Sequence, residues 1–272
     1  MKLVRRILVA AILIALVVGA TLLHPLLLAG LVVLWVFLAS REFVRLLDQQ
    51  GIKLPMLLLP LANLIFPISQ VADPGRYFPN GQLPFLLIPL ALVSVSILFT
   101  PAPRAPKLAY SFLGIAYLSL LPAHLIMLRY HVLFHPSLSL YVVLFPLAAT
   151  WVNDTGAYAF GKWLGRHKLA PEISPNKTWE GFIVGVILTV GFSVVALRWV
   201  LPETGILAGV LLGLGLGVAA QVGDLVESVF KREAGAKDSS SALSEHGGFL
   251  DRSDSLLFTI PLFYYYLTAV QH

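Results

Sequence analysis

The chain has 272 residues, 58% of them hydrophobic and 12% charged, with a mean hydropathy of +0.84 and a pI near 9.5. Soluble domains carry about 25% charged residues, so water is excluded as the solvent for most of this chain and a membrane protein is indicated. The absence of cysteine excludes disulfide and thiolate chemistry, while the formal net charge of +5 leaves nucleic acid to be tested against where the cations lie.

Crossing a bilayer takes roughly 17 to 25 apolar residues. Nine segments fit, at 7–23, 25–40, 54–70, 84–100, 108–128, 138–158, 180–201, 205–227 and 254–270. The expected fold class is an all-α polytopic membrane protein with about nine transmembrane helices. Lys2, Arg5 and Arg6 precede the first apolar run and Val18-Gly19-Ala20 is a tolerable cleavage site. That is the outline of a signal peptide, which we expect to be retained as the first span. His24-Pro25 separates the first two spans, because Pro lacks a backbone donor and disfavours helix in the residue before it. His24 is expected to be structural. Residues 41–48 continue the second span as an amphipathic stretch lying in the interface, with Arg41 and Arg45 on a solvated face. Asp73-Pro74-Gly75-Arg76 is turn chemistry, and the proline-rich run 101–107 is a stiff loop. His124, His131 and His135 have no carboxylate or thiol beside them in sequence and are expected to be structural.

The placement of the cations speaks against nucleic acid. With the N-terminus in the cytosol, nine spans put sixteen Lys and Arg residues on the cytosolic side and only Arg76, Arg129 and Arg198 opposite. This positive-inside bias makes the basic surplus a matter of topology, with attraction to anionic membrane lipid. It also places 228–253 at the cytosolic face.

At the end of the sixth span, Asp154 in Trp151-Val152-Asn153-Asp154-Thr155-Gly156-Ala157-Tyr158 is costly in hydrocarbon and is expected to face the bundle interior or a wet cavity. A headgroup-solvated Asp is the alternative. Gly161, Gly165, Arg166, His167 and Lys168 follow as a loop, leading to Ser174-Pro175-Asn176-Lys177-Thr178-Trp179-Glu180-Gly181. Thr178 is a plausible N-cap, Glu180 suits the first helical turn, and Lys177 sits beside a helix N-terminus that attracts anions. In the eighth span Gly209, Gly213 and Gly217 form overlapping GxxxG repeats. Together with Gly215 they resemble a nucleotide loop, but no strand precedes them and close helix packing is the expectation.

Residues 224–254 hold seven of the fourteen acidic residues. At helical spacing Asp224, Glu227, Ser228 and Lys231 share one face. Asp251 and Asp254 repeat the i, i+3 pairing. Between the pairs lie Lys231, Arg232, Lys237 and Arg252, cations suited to phosphate oxygens, while clustered carboxylates suit a hard divalent cation.

The run Ser228-x-x-Lys231-Arg232-x4-Lys237-Asp238-x-Ser240-x2-Leu243-Ser244-x-His246-Gly247-Gly248-Phe249-x-Asp251-Arg252-x-Asp254 resembles the C-terminal motif of the phosphatidate cytidylyltransferases, also called CDP-diacylglycerol synthases. Ser253 stands where that family usually has an apolar residue. The run 174–181 is similar to another segment of the same family, with Asn176 where many members carry a basic residue. The resemblance implies transfer of CMP from CTP to phosphatidate in phospholipid biosynthesis, with Mg²⁺ as cofactor and K⁺ as a possible second ion, and a possible membrane homodimer. It implies a bacterial-type cytoplasmic (inner) membrane location with the N-terminus and the site cytosolic.

On that reading Asp224, Glu227, Asp251 and Asp254 surround one or two cations. Asp224, Lys237, Asp238, His246, Asp251 and Arg252 are the expected catalytic residues. Asp154, Lys177, Ser228, Lys231, Arg232, Lys237, Gly247, Gly248 and Arg252 are expected to bind substrate, with Gly247 and Gly248 giving a mobile backbone that approaches phosphate closely. The expected organisation is an N-terminal membrane region 1–137 of about five spans without a motif and a catalytic membrane region 138–272 of about four. A secondary transporter would also use acids and cations near helix ends, but paired half-chains of similar hydropathy are not visible. A non-catalytic scaffold would tolerate loss of the carboxylates, and the spaced acidic pattern of a CDP-alcohol phosphotransferase is missing.

Overall fold

A computed structural model describes residues 2–72, 82–130, 138–240 and 247–271, with side chains from residue 11 to 270 within those ranges. The expected turn at Asp73-Pro74-Gly75-Arg76, His131 and His135, and the site candidate His246 lie outside the described residues. Of the described residues 79% are helical. It divides into two compact units, Met1–Leu133 with Glu233–Ser253, and Phe134–Arg232 with Asp254–His272.

The first unit contains α1 (Lys2–Leu23), α2 (Pro25–Gln49), α3 (Leu58–Ala62), α4 (Ile65–Val71), α5 (Gln82–Leu98), α6 (Arg104–Ile115), a π turn (Ala116–Leu120) and α7 (Leu121–Tyr130). The break between α1 and α2 falls where Pro25 requires it. His24 is extended, and its ring Nδ1 accepts from the Leu26 amide at 3.2 Å while Pro25 opens the helix, so His24 is an N-cap. The helix then runs on to Gln49 and buries Glu42, Phe43, Val44, Leu46 and Leu47. The stretch 41–48 expected in the interface is therefore largely core.

The span expected at 54–70 is two short helices broken at Asn63. Its buried amide donates to Ser40 Oγ at 2.8 Å and to the Gly114 carbonyl, and its own carbonyl accepts from Ser119 Oγ at 2.8 Å. Leu58–Val71 as one helix would reach only about 21 Å, short of a bilayer core of about 30 Å. The span expected at 108–128 is continuous through α6, the π turn and α7. The π turn leads into Pro122, whose missing N–H and ring interrupt a regular α ladder. Phe43, Phe66, Ile97, Ile115, Leu118 and Ile126 are fully buried in this unit.

The second unit contains α8 (Ser139–Leu164), β1 (Lys168–Ala170), β2 (Ser174–Thr178), α9 (Trp179–Val200), most of α10 (Ile206–Glu233) and α11 (Leu256–Gln271). The strands pair antiparallel, Lys168 opposite Thr178 and Ala170 opposite Ser174, which corrects the expected loop and qualifies the all-α class. Thr178 caps α9 as expected, its hydroxyl accepting from the Gly181 amide at 3.2 Å. Glu180 in the first turn reaches back to accept from the Arg166 and His167 amides and to pair with the His167 ring at 2.6 Å. Capping thus fixes both ends of the hairpin.

Gly209, Gly213 and Gly217 pack α10 against α9. A Cβ at these positions would fall 2.8, 2.5 and 3.0 Å from the Cα atoms of Val194, Val190 and Val186. The GxxxG stripe is a close-packing surface, as its spacing indicates. Across α8, α9 and α10 runs a buried polar network in which Asn153 donates to Thr189 Oγ1 and to the Gly217 carbonyl, and Gln221 donates to Asn153 Oδ1 at 2.6 Å. Phe145 stacks on Phe263 of α11, centroids 4.4 Å apart.

Among the described residues four helical stretches are long and apolar enough to cross a membrane, Pro25–Gln49, Arg104–Tyr130, Trp179–Val200 and Ile206–Glu233. Apolar helices at Ala11–Leu23, Leu58–Val71, Gln82–Leu98 and Leu256–Val270 are shorter. This is the build of a helical membrane protein. Because the Val190 backbone cannot yield, Gly213→Ala is expected to destabilise the fold by about 1–3 kcal/mol, read as a lower unfolding midpoint in detergent. An unchanged midpoint would show that α9 and α10 do not meet at Gly213.

Candidate active site

In the second unit, the pairing of β2 and the Thr178 cap fix the backbone on which Lys177 sits. Its ammonium reaches α10, pairing with Asp224 Oδ2 at 2.9 Å and lying 3.5 Å from the Gln221 carbonyl. Ser228, one turn on, donates to Asp224 Oδ1 at 3.3 Å. Asp224 is brought to Asp254 by a contact only glycine permits. A Cβ on Gly223 would fall 2.4 Å from the Asp254 carbonyl oxygen and 2.9 Å from Ser255 Cα, so α10 closes directly on the chain entering α11.

Asp254 keeps part of its surface open, yet protein surrounds its carboxyl. Burial and then the negative charge of Asp224 push its pKa up to about 7, against the pull of the Ser255 amide, Lys231 and Lys177. Removal from water disfavours the charged form, and a second carboxylate adds to that. Glu227 is fully buried and forms an i, i+4 ion pair with Lys231. Two ion pairs, Lys177 with Asp224 and Lys231 with Glu227, thus lie along this face of α10, with Asp254 beside Asp224.

Among the described residues no group of three or more His, Cys, Asp or Glu gathers as a metal centre. The pair the structure brings together is Asp224 with Asp254, and Glu227 is the partner of Lys231 rather than an open ligand. A pair suffices for Mg²⁺, which takes one or two carboxylates and fills its remaining positions with water and substrate oxygens. Arg232 is exposed, its Nε donating to the Ile173 carbonyl at 3.0 Å and tying the end of α10 to the turn of the hairpin. Asp154 is exposed on α8. The neighbouring buried position belongs to Asn153.

In the first unit, Asp251 opens a 3-10 turn (Leu250–Arg252). Its Oδ2 accepts from the Ser239 amide at 2.8 Å, from Ser239 Oγ at 2.7 Å and from the Gly248 amide at 2.7 Å. Gly247 has φ +76°, and a Cβ there would fall 2.5 Å from Asp251 Oδ2. The close backbone approach expected toward phosphate is thus made to a carboxylate of this chain. Ser253 is buried, its hydroxyl donating to the Leu250 carbonyl at 2.9 Å, so a polar residue at this position is satisfied. Lys237, Asp238 and Arg252 are exposed.

Sequence reasoning missed Glu42 of α2. This buried carboxylate accepts from the Ser239 and Ser240 hydroxyls and from the Phe249 and Leu250 amides. The available signal was an acid at the end of a long apolar helix, but Arg41 and Arg45 beside it in sequence offered a local explanation for its charge.

The Asp254 environment carries a pH signature. A carboxyl whose pKa is raised on folding binds its proton more tightly in the folded state, so stability is lost as pH rises from about 4 through about 7. In chelator-containing buffer, Asp254→Asn is expected to unfold at a higher temperature than the parent at pH 8, and the gap should close toward pH 4. A gap that stays constant or widens on acidification would contradict the assignment.

The model of the cytidylyltransferase family matches residues 4–270. The phosphatidate cytidylyltransferase of Staphylococcus haemolyticus is 37% identical, the match covering 88% of this chain and 91% of that protein. That of Staphylococcus saprophyticus is 35% identical over 83% and 84% of the two chains, and that of a Synechocystis species 34% over 93% and 94%. Each match covers most of both chains. This chain belongs to the cytidylyltransferase family.

Proposed function

We propose that this protein transfers CMP from CTP to phosphatidate, giving CDP-diacylglycerol and pyrophosphate, at the cytosolic face of a bacterial-type cytoplasmic membrane. The observation that carries this reading is the Lys177–Asp224 ion pair closed against Asp254, in a chain of this family. A phosphate oxygen of the lipid attacks the α-phosphorus of CTP. A new P–O bond forms as the bond from that phosphorus to the bridging oxygen breaks, and its electron pair leaves with pyrophosphate. The lipid phosphate is already anionic, so the protein supplies no nucleophile of its own.

What the chain must supply is relief of repulsion between two polyanions. Lys177 and Lys231 are held by their carboxylate partners with fixed direction, and the motif cations Lys237 and Arg252 are proposed to meet phosphate oxygens. Asp224 and Asp254 would hold a divalent cation, whose contribution is to offset triphosphate charge and favour departure of pyrophosphate. Asp224 also keeps the Lys177 ammonium oriented, which sets where an incoming phosphate can sit.

Detergent-purified protein incubated with labelled CTP and phosphatidate is expected to form CDP-diacylglycerol and pyrophosphate in equal amounts, with ATP and dATP as non-substrates. EDTA should stop turnover and added Mg²⁺ restore it. No lipid product from CTP would overturn the reading, and turnover that persists in EDTA would remove the cation from it.

A further inference from the structure

We infer that Glu42 is a positioning residue for this reaction, acting from the N-terminal half of the chain to fix the backbone that carries Asp251 and Arg252. The inference rests on the cytidylyl-transfer reading above. Glu42 is 3% exposed, and each of its oxygens takes two hydrogen bonds. Oε1 accepts from Ser240 Oγ at 2.6 Å and from the Phe249 amide at 3.1 Å, and Oε2 accepts from the Leu250 amide at 2.8 Å and from Ser239 Oγ at 3.1 Å. One side chain thereby ties together two stretches, 239–240 and 249–250, that are about ten residues apart in sequence.

The neighbouring contacts make this a built arrangement. A Cβ on Gly248 would fall 2.4 Å from Glu42 Oε2 and 2.3 Å from Ser239 Oγ, just as one on Gly247 would meet Asp251 Oδ2. The Gly-Gly pair therefore makes room for two carboxylates, one on each side. Ser239 Oγ lies within hydrogen-bond reach of both Glu42 and Asp251, and its single hydroxyl hydrogen serves one of the two acids at a time. Trp35, also on α2, adds an indole hydrogen bond to the Phe249 carbonyl at 3.1 Å. α2 therefore holds the approach to the 3-10 turn from two positions.

Glu42 touches neither substrate nor reacting atoms on this account; it sets where Asp251 and Arg252 stand. Gln is the informative replacement because it keeps the shape and removes one acceptor. Its amide nitrogen would face one hydroxyl, which can rotate, and one backbone N–H, which cannot, leaving Phe249 or Leu250 with an unmet donor.

The test compares the wild type, Glu42→Gln, Glu42→Asp and Ser240→Ala, each purified as the monodisperse folded fraction, with kcat expressed per folded chain. Glu42→Gln is expected to lose about 10- to 100-fold in kcat with little change in KM for CTP. Glu42→Asp should recover part of the loss, because it restores the carboxylate. Ser240→Ala, which removes one of the four donors, should show a smaller loss in the same parameter. A purely structural role would reduce the folded yield and leave kcat of the folded fraction at the wild-type value. That outcome for Glu42→Gln would overturn the inference, and if this variant does not fold, unchanged kcat in Ser240→Ala would do so. A wild-type protein that makes no CDP-diacylglycerol would instead overturn the proposed reaction and this inference with it.

Discussion

Keeping carboxylates out of bulk water is the constraint on which this structure depends. An ionised acid in a poorly solvated place is stable only with cations or several hydrogen-bond donors around it. The chain meets this demand in two ways. In the second unit the acids are met by charge, Lys177 on Asp224 and Lys231 on Glu227, with Asp254 left short and its pKa raised. In the first unit they are met by dipoles, from Ser240, Phe249 and Leu250 on Glu42 and from the Ser239 and Gly248 amides on Asp251, with the Ser239 hydroxyl shared between the two acids. A carboxylate compensated by donors is held without a counter-ion, whereas one placed beside a second acid draws on cations.

The helices serve this arrangement through small residues. The glycine stripe of α10 lets α9 approach at three successive turns, and Gly223 lets the same helix meet the chain at Asp254. The Asn153–Gln221 hydrogen bond locks the turn of α10 that precedes Asp224, and Lys177 lies against the carbonyl of that same Gln221. Helix packing and site geometry are thus set by the same residues of α10. A substitution that separates α9 from α10 should disturb the site without touching a charged group.

Much of this was legible in the sequence wherever a local rule governs. His24-Pro25 reads as a helix boundary because Pro acts on its own backbone. Thr178 reads as a cap because its hydroxyl serves an amide three residues on, and the GxxxG stripe reads as a packing face because its spacing alone makes it one. The acid-rich stretch and its family motif were equally plain. What escaped depends on partners distant in sequence. Glu42 serves residues nearly 200 positions away, so no window along the chain contains its role. Glu227 follows the i, i+3 pattern expected of a metal ligand, and its complete burial and its ion pair with Lys231 became visible only in the structure. Asn153 and Asp154 are adjacent, and the sequence does not say which of them turns inward. The strand pair at 168–178 is too short to show a period, and the break at Asn63 becomes visible only through hydrogen bonds to Ser40, Gly114 and Ser119.

The most direct test of the central claim is the binding of Mn²⁺, a spectroscopic stand-in for Mg²⁺ at oxygen ligands, followed by electron paramagnetic resonance on the purified protein with and without CTP. The account predicts a site on each chain whose affinity drops at least about tenfold in Asp254→Asn. Equal Mn²⁺ binding by the variant and the parent would contradict it.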